Sequence, residues 1–245
     1  MRRNGILMHI SSLPSDYGIG TLGKAAYDFA DYLEDAGQSL WQILPINPTG
    51  FGDSPYASYS TYGGNPYFID LDLLEKQGLL RKEEYANRYW GDNPEHVEYE
   101  HIYNNRFPVL EIAARRFLEN PPEDYEDFKK ENKEWLEDFA LYLALKQKHG
   151  GKAWTDWDAP YNHYHPHLAK QWAASLQDEM EKYKVWQYLF FKQWKDLKEY
   201  VNDKGIQIVG DMPIYVAADS VDAWSHPEVF LIDEKGKPEY VAGYP

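Results

Sequence analysis

Two hydrophobic patterns alternate along this chain: short unbroken apolar runs, and longer stretches with apolar residues every three or four positions. The run Gly5-Ile6-Leu7-Met8-His9-Ile10 shows no two-residue alternation and predicts a buried parallel strand. Ser11 to Pro14 follow as a loop. Thr21 is placed to cap a helix reaching about Ala36, whose Leu22, Ala26, Phe29 and Leu33 form one apolar stripe. Asp28, Asp31 and Asp35 lie mostly off that stripe, and Gly37 is expected to end the helix in the left-handed region. Leu40 to Ile46 predicts a second strand, with Pro45 limiting its ladder. Residues 1–46 therefore read as one strand–helix–strand unit with a right-handed crossover.

The stretch from Asn47 to Leu73 breaks this rhythm. Pro48, Gly50, Gly52, Pro55, Gly63, Gly64 and Pro66 are interspersed with Tyr56, Tyr59, Tyr62, Tyr67 and Phe68. Long ordered loops of that kind are uncommon and often functional. A short extended piece is expected at Phe68 to Leu71, then a helix to Leu80. An acidic, largely helical stretch follows. Helices are predicted near Asn104 to Glu119, from Lys133 to Lys148, and from about Asp178 to Asn202. The last has the stripe Tyr183, Trp186, Phe190, Trp194, Leu197 and Val201. Ile206 to Asp211 then predicts a third parallel strand. The interval from Asn47 to Gly205 is too long for an ordinary crossover, so it reads as a loop plus an inserted helical subdomain. Parallel strands ending in polar residues suit a doubly wound sheet or a barrel, and both bind ligands at those ends.

Composition narrows the ligand. Asp and Glu total 40 against 25 Lys and Arg, a formal net charge of −15, which disfavours nucleic acid and anionic membranes. The 21 Tyr, 9 Trp and 10 Phe suit a large aromatic core, a sugar site where flat rings cover pyranose faces, or both. There is no Cys, so disulfides and thiolate metal sites are excluded. Ile6 to Met8 after Arg2 and Arg3 is too short for a signal-peptide core, and no run reaches membrane-spanning length; a cytoplasmic location is expected. No dinucleotide fingerprint follows the first strand and no P-loop is present.

Several side chains are candidates for chemistry. Asp53, Ser54 and Tyr56 follow the second strand and offer sugar-directed acceptors, a donor and a ring; equally, they read as a turn capped by Asp53 and packed by Tyr56. Asp211 closes the third strand and faces either a ligand or a buried hydrogen-bond network. Asp219, Ser220, Asp222, Trp224 and His226 follow in the next loop. His9 reads as a hydrogen-bonded strand end. His163, His165 and His167 alternate as zinc ligands can, but Pro166 and the surrounding Tyr and Asn suggest an irregular surface segment. Ser11 and Ser12 lack a nucleophile-elbow context.

Three long motifs carry a resemblance: GILMHISSLPSDYGIG from Gly5, WQILPINPTGFGDSPYASYSTYGGNPY from Trp41, and VGDMPIYVAADSVDAWSHPEVF from Val209. They resemble the 4-α-glucanotransferases of glycoside hydrolase family 77, in the α-amylase superclass. The resemblance implies a (β/α)8 barrel, here its first three strands with a large, mainly helical insertion. Residues 1–46 would begin the barrel, 47–205 would hold the substrate loop and insertion, and 206–245 the third strand and start of a lid loop. It implies retaining transfer of α-1,4-glucan segments to a 4-hydroxyl, on malto-oligosaccharides, in the cytoplasm and without a cofactor. Ser54 and Tyr56 resemble the substrate-contacting Ser and Tyr of that family's loop, and Asp211 resembles the Asp of its active-site floor. Phe51 matches a position where some relatives have a glucan-contacting Tyr; its ring can still stack, without the hydroxyl.

One departure matters. The family's nucleophile is the Asp of an Arg-x-Asp-His-Phe-type motif after strand four, its acid/base Glu follows strand five, and a stabilising Asp follows strand seven. No residue here matches them in context. These 245 residues are therefore expected to be the N-terminal portion of a longer protein and inactive alone. A glucan hydrolase of the same superclass and a non-catalytic glucan-binding protein are the competing readings.

Overall fold

The computed structural model describes residues 3–240; Val241 to Pro245, expected as the start of a lid loop, lie outside the described residues. The chain divides into two compact units. One comprises Met1–Ile46, Gly64–Pro122 and Val185–Met212, the other Asn47–Gly63, Glu123–Lys184 and Pro213–Pro245. The stretch 47–205 thus contributes to both.

The first unit carries the sheet. Strands β1 (Gly5–Leu7), β2 (Leu40–Gln42) and β3 (Gln207–Val209) lie side by side in that order, all parallel, with Ile6, Trp41 and Ile208 in register. The three apolar runs do form strands, but the paired segments are shorter than the runs. After β1 the backbone turns into a 3-10 helix at Ile10–Ser12, and beyond β2 Pro45 has no N–H to give. Pairing extends only slightly further, through Met8 N–H to Gln42 O at 2.9 Å and Ile43 N–H to Val209 O at 3.0 Å. Trp41 is fully buried and meets the ring of Phe29 edge-on at 5.0 Å. Leu7, Gln42 and Val209 alternate to the other face and are exposed.

Helix α1 (Lys24–Asp35) buries Ala26, Ala30 and Leu33. Its N-cap is Gly23, with no side-chain cap. Thr21 therefore does not cap it; its hydroxyl donates instead to the buried Asp70 carboxylate at 2.6 Å. Gly37 takes φ +63° after the helix, as a glycine can. Of the expected extended piece at Phe68 to Leu71, Ile69 and Asp70 are extended, and they join a 3-10 helix (Pro66–Phe68) to α2 (Leu71–Lys76). Asp70 is the cap of α2, accepting from Leu73 N–H at 2.8 Å, so the backbone is drawn into a helix start. Helix α3 (Tyr99–Glu119) begins earlier than its apolar stripe indicates.

The second unit is helical: α4 (Glu123–Glu131), α5 (Lys133–Lys148), α6 (Pro166–Ser175), the first turns of α7 (Gln177–Asp203), and α8 (Val221–Ser225). Its core is aromatic. Trp224 lies 5.7 Å from Tyr142 and 5.8 Å from Trp157, ring to ring, and Trp154 and Trp172 are buried in the same cluster. The segment with the three histidines is exposed, as expected, and irregular as far as His165; from Pro166 on it is helical. Pro166 opens α6 at the position where its fixed φ fits, and His165 is the N-cap residue. No described helix is long and apolar enough to cross a membrane.

Candidate functional site

Residues 47–63 form an arm of the second unit. Its two sides pair as a short antiparallel ladder: Thr49 bridges Ser58, Gly50 N–H donates to Ala57 O at 2.7 Å, and Tyr59 N–H donates to Pro48 O at 3.1 Å. Buried Ser58 places its Oγ 2.7 Å from both Pro48 O and Ser60 O. These bonds satisfy backbone groups that the proline- and glycine-rich sequence cannot satisfy in a helix or sheet.

The tip of the arm holds Phe51, Ser54 and Tyr56 together. Gly52 and Asp53 turn the chain at φ +87° and +53°. Asp53 is the only non-glycine in that region among the described residues, and its carboxylate accepts from the Thr49 hydroxyl at 3.1 Å. Burial pushes its carboxyl pKa up, partly offset by that hydrogen bond. Asp53 thus shapes the turn, while its neighbours face solvent. Ser54 is exposed and its Oγ accepts from Tyr56 N–H at 3.3 Å; Tyr56 is 48% exposed and Phe51 wholly exposed. A hydroxyl, a phenol and a bare ring on one turn can meet the hydroxyls and apolar faces of a neutral sugar.

The root of the arm is fastened by groups far away in sequence. Thr61 donates its N–H and its hydroxyl to the two oxygens of Asp222 at 3.0 and 2.7 Å, and Val221 N–H donates to Tyr59 O at 2.9 Å. Asn47 Nδ2 reaches Thr61 O and Gly63 O at 3.1 and 3.0 Å. The buried Lys146 ammonium lies 4.8 Å from the Tyr59 ring centre and donates to Asp219 at 2.6 Å. Tyr142 donates to the same carboxylate at 2.6 Å, and burial, then Asp219, pushes its pKa well up. Sequence reading missed Thr61 and Lys146 and gave Asp222 no role. Partners 161 positions away for Thr61 and 73 for Lys146 leave no trace in local periodicity.

Asp211 belongs to the first unit, just past β3. It is exposed, and its carboxylate accepts from Met212 N–H at 2.8 Å. His9 follows β1 and is buried. Its Nδ1 accepts from Leu44 N–H at 3.2 Å, its ring meets Phe68 edge-on, and burial lowers its pKa to about 4. Among the described residues no group of His, Asp and Glu side chains is arranged to hold a metal ion.

The 4-alpha-glucanotransferase family model matches residues 8–245. A 4-alpha-glucanotransferase of Streptococcus pneumoniae is 47% identical over the whole chain, and one of Clostridium butyricum 45% identical over 97% of it. Each match covers 49% of the relative, so the chain spans about half the length of the curated relatives it matches. Among solved structures, the amylomaltase from Streptococcus agalactiae in complex with acarbose superposes on all of this chain and on 50% of its own, with TM-score 0.96 and 46% identity. The amylomaltase from Corynebacterium glutamicum, at 17% identity and TM-score 0.66 over 90% of this chain and 32% of its own, shares the fold. A match of that identity along essentially every residue, over the same strands, arm and helices, has one reading: the chain belongs to glycoside hydrolase family 77, the 4-α-glucanotransferases.

Proposed function

We propose that the protein carrying these residues is a 4-α-glucanotransferase that moves α-1,4-glucan segments to the 4-hydroxyl of glucose or another α-glucan. The observation that carries this reading is the correspondence of all of this chain with half of the amylomaltase solved in complex with acarbose. In this reading β1, β2 and β3 are the first three strands of a (β/α)8 barrel, and ligand gathers at their C-terminal ends. Ser54 and Tyr56 contact the glucan, Asp211 lies on the floor of the site, and the exposed Phe51 ring stacks on glucan at a secondary position.

The chemistry is a retaining double displacement. A carboxylate nucleophile takes the donor segment as a covalent glycosyl-enzyme while an acid/base carboxyl protonates the leaving oxygen; the acceptor hydroxyl then attacks, losing its proton to the same carboxyl. None of the 245 residues matches these carboxyl groups in context, and the chain spans about half the length of its relatives, so in this reading the portion binds and positions and does not cleave. No cofactor is required, and a chain without Cys suits a reducing cytoplasm.

Incubation with maltotriose tests the reading. A chain of the relatives' full length is expected to give glucan products longer than maltotriose, and the 245 residues alone none. Glucose and maltose as the only products would identify a hydrolase instead. Binding without turnover would identify a glucan-binding protein.

A further inference from the structure

We propose that Asp222 is a positioning residue for the arm that bears Ser54 and Tyr56, acting through Thr61. The inference rests on the reading of Ser54 and Tyr56 as glucan contacts.

The arm's tip is exposed, and local bonds shape it: Tyr56 N–H to Ser54 Oγ, Asp53 N–H to Gly50 O, Ala57 N–H to Ser54 O. Such bonds fix the shape of the turn but not where the turn stands. The ladder of residues 48–50 and 57–59 ties the turn to the root at Tyr59 to Gly63. At that root, Thr61 has every polar group engaged. Its N–H and hydroxyl both donate to Asp222, and its carbonyl accepts from Asn47. Two donors on one residue call for an acceptor with two oxygens at carboxylate spacing, and Asp222 supplies it.

Asp222 is itself held rigidly. It sits in the first turn of α8, whose cap is the fully buried Ser220, accepting from Ala223 N–H at 3.2 Å. Trp224 in the next turn is buried in the aromatic core and donates to Tyr161 O at 2.9 Å. The neighbouring Val221 N–H to Tyr59 O bond runs beside the carboxylate clamp. The geometry runs from the aromatic core to α8, to Asp222, to Thr61, along the ladder to Ser54 and Tyr56. A shift of about 1 Å in a positioning group can cost up to about a hundredfold in rate, so this clamp lies where small displacements matter.

Steady-state transfer from maltotriose by the full-length protein tests the proposal. Asp222→Ala is expected to raise KM about tenfold with a much smaller change in kcat, because binding contacts are displaced and the reacting groups are not. Asp222→Asn keeps an acceptor for the Thr61 N–H and an amide for its hydroxyl, and is expected to restore KM to within about threefold of the parent. Thr61→Val removes one of the two bonds and is expected to raise KM about threefold, which gives a readout should the alanine variant fold poorly. In a Ser54→Ala/Tyr56→Ala background, Asp222→Ala is expected to change KM less than about twofold, because the contacts it positions are gone. A full tenfold effect in that background, or no effect of Asp222→Ala in the parent, overturns the proposal. If Ser54→Ala/Tyr56→Ala leaves the parent's kinetics unchanged, the reading of those residues fails and the proposal fails with it.

Discussion

Gly23 stands where a side chain would strike a buried carboxylate. A Cβ there would lie 1.9 Å from Asp70 Oδ2, and that carboxylate cannot swing aside without releasing the Thr21 hydroxyl and the Leu73 N–H. Gly23→Ala is expected to cost about 2–3 kcal/mol in urea unfolding, by overpacking and by breaking those bonds. His9 gives the site a pH signature. Its folded pKa, about 4, lies below the ordinary 6.5, so the unfolded chain binds a proton between those values that the folded one refuses. Stability from this group is complete above pH 6.5 and falls as the pH drops towards 4, by about 2 kcal/mol between pH 7 and 5. His9→Asn keeps an acceptor for Leu44 N–H and does not titrate. Unfolding measured at both pH values is expected to show the parent losing that much more than the variant. Such details were only half legible in the sequence. The hydrogen-bonded role of His9 followed from its place at a strand end. Thr21 looked like a cap because Ser and Thr before helices usually are; its actual acceptor, Asp70, is remote in the chain.

At the scale of elements, α7 uses two glutamines as backbone clamps. Gln187 accepts from Gly64 N–H at 2.7 Å and donates to Gly64 O at 2.9 Å; Gln193 does the same for Asp70 at 2.7 and 3.2 Å. Both amides are buried and replace the partners that a sheet would have given this irregular segment. Gln187→Ala leaves a buried donor and a buried acceptor unmet and is expected to cost about 2–4 kcal/mol, whereas Gln187→Glu still meets the N–H. Chemical denaturation of the two variants distinguishes them. The periodic stripes of α1, α5 and α7 made those helices readable, since 3.6-residue spacing is a strong local signal. Strand lengths were not readable, because where a ladder ends depends on the neighbouring strand. Helix α6 was hidden by its histidines, although Pro166 at its first position was the available cue.

For the whole molecule, a net charge of −15, an aromatic core and exposed rings on the arm are what the proposed handling of a neutral polymer asks for. Three motifs made the family legible, and the matches along residues 8–245 support the same family. Much of the aromatic content is core, as the packing around Trp224 shows, while Phe51, Tyr56 and Tyr62 remain exposed on the arm. The position of Ser54 and Tyr56 relative to Asp211 is where the functional account stands or falls. A crystal structure of the full-length protein with a bound malto-oligosaccharide measures it directly. The expected result is a glucan with its hydroxyls about 3 Å from Ser54 Oγ, the Tyr56 hydroxyl and the Asp211 carboxylate. A glucan seated in the catalytic site with those three side chains out of hydrogen-bonding reach would contradict it.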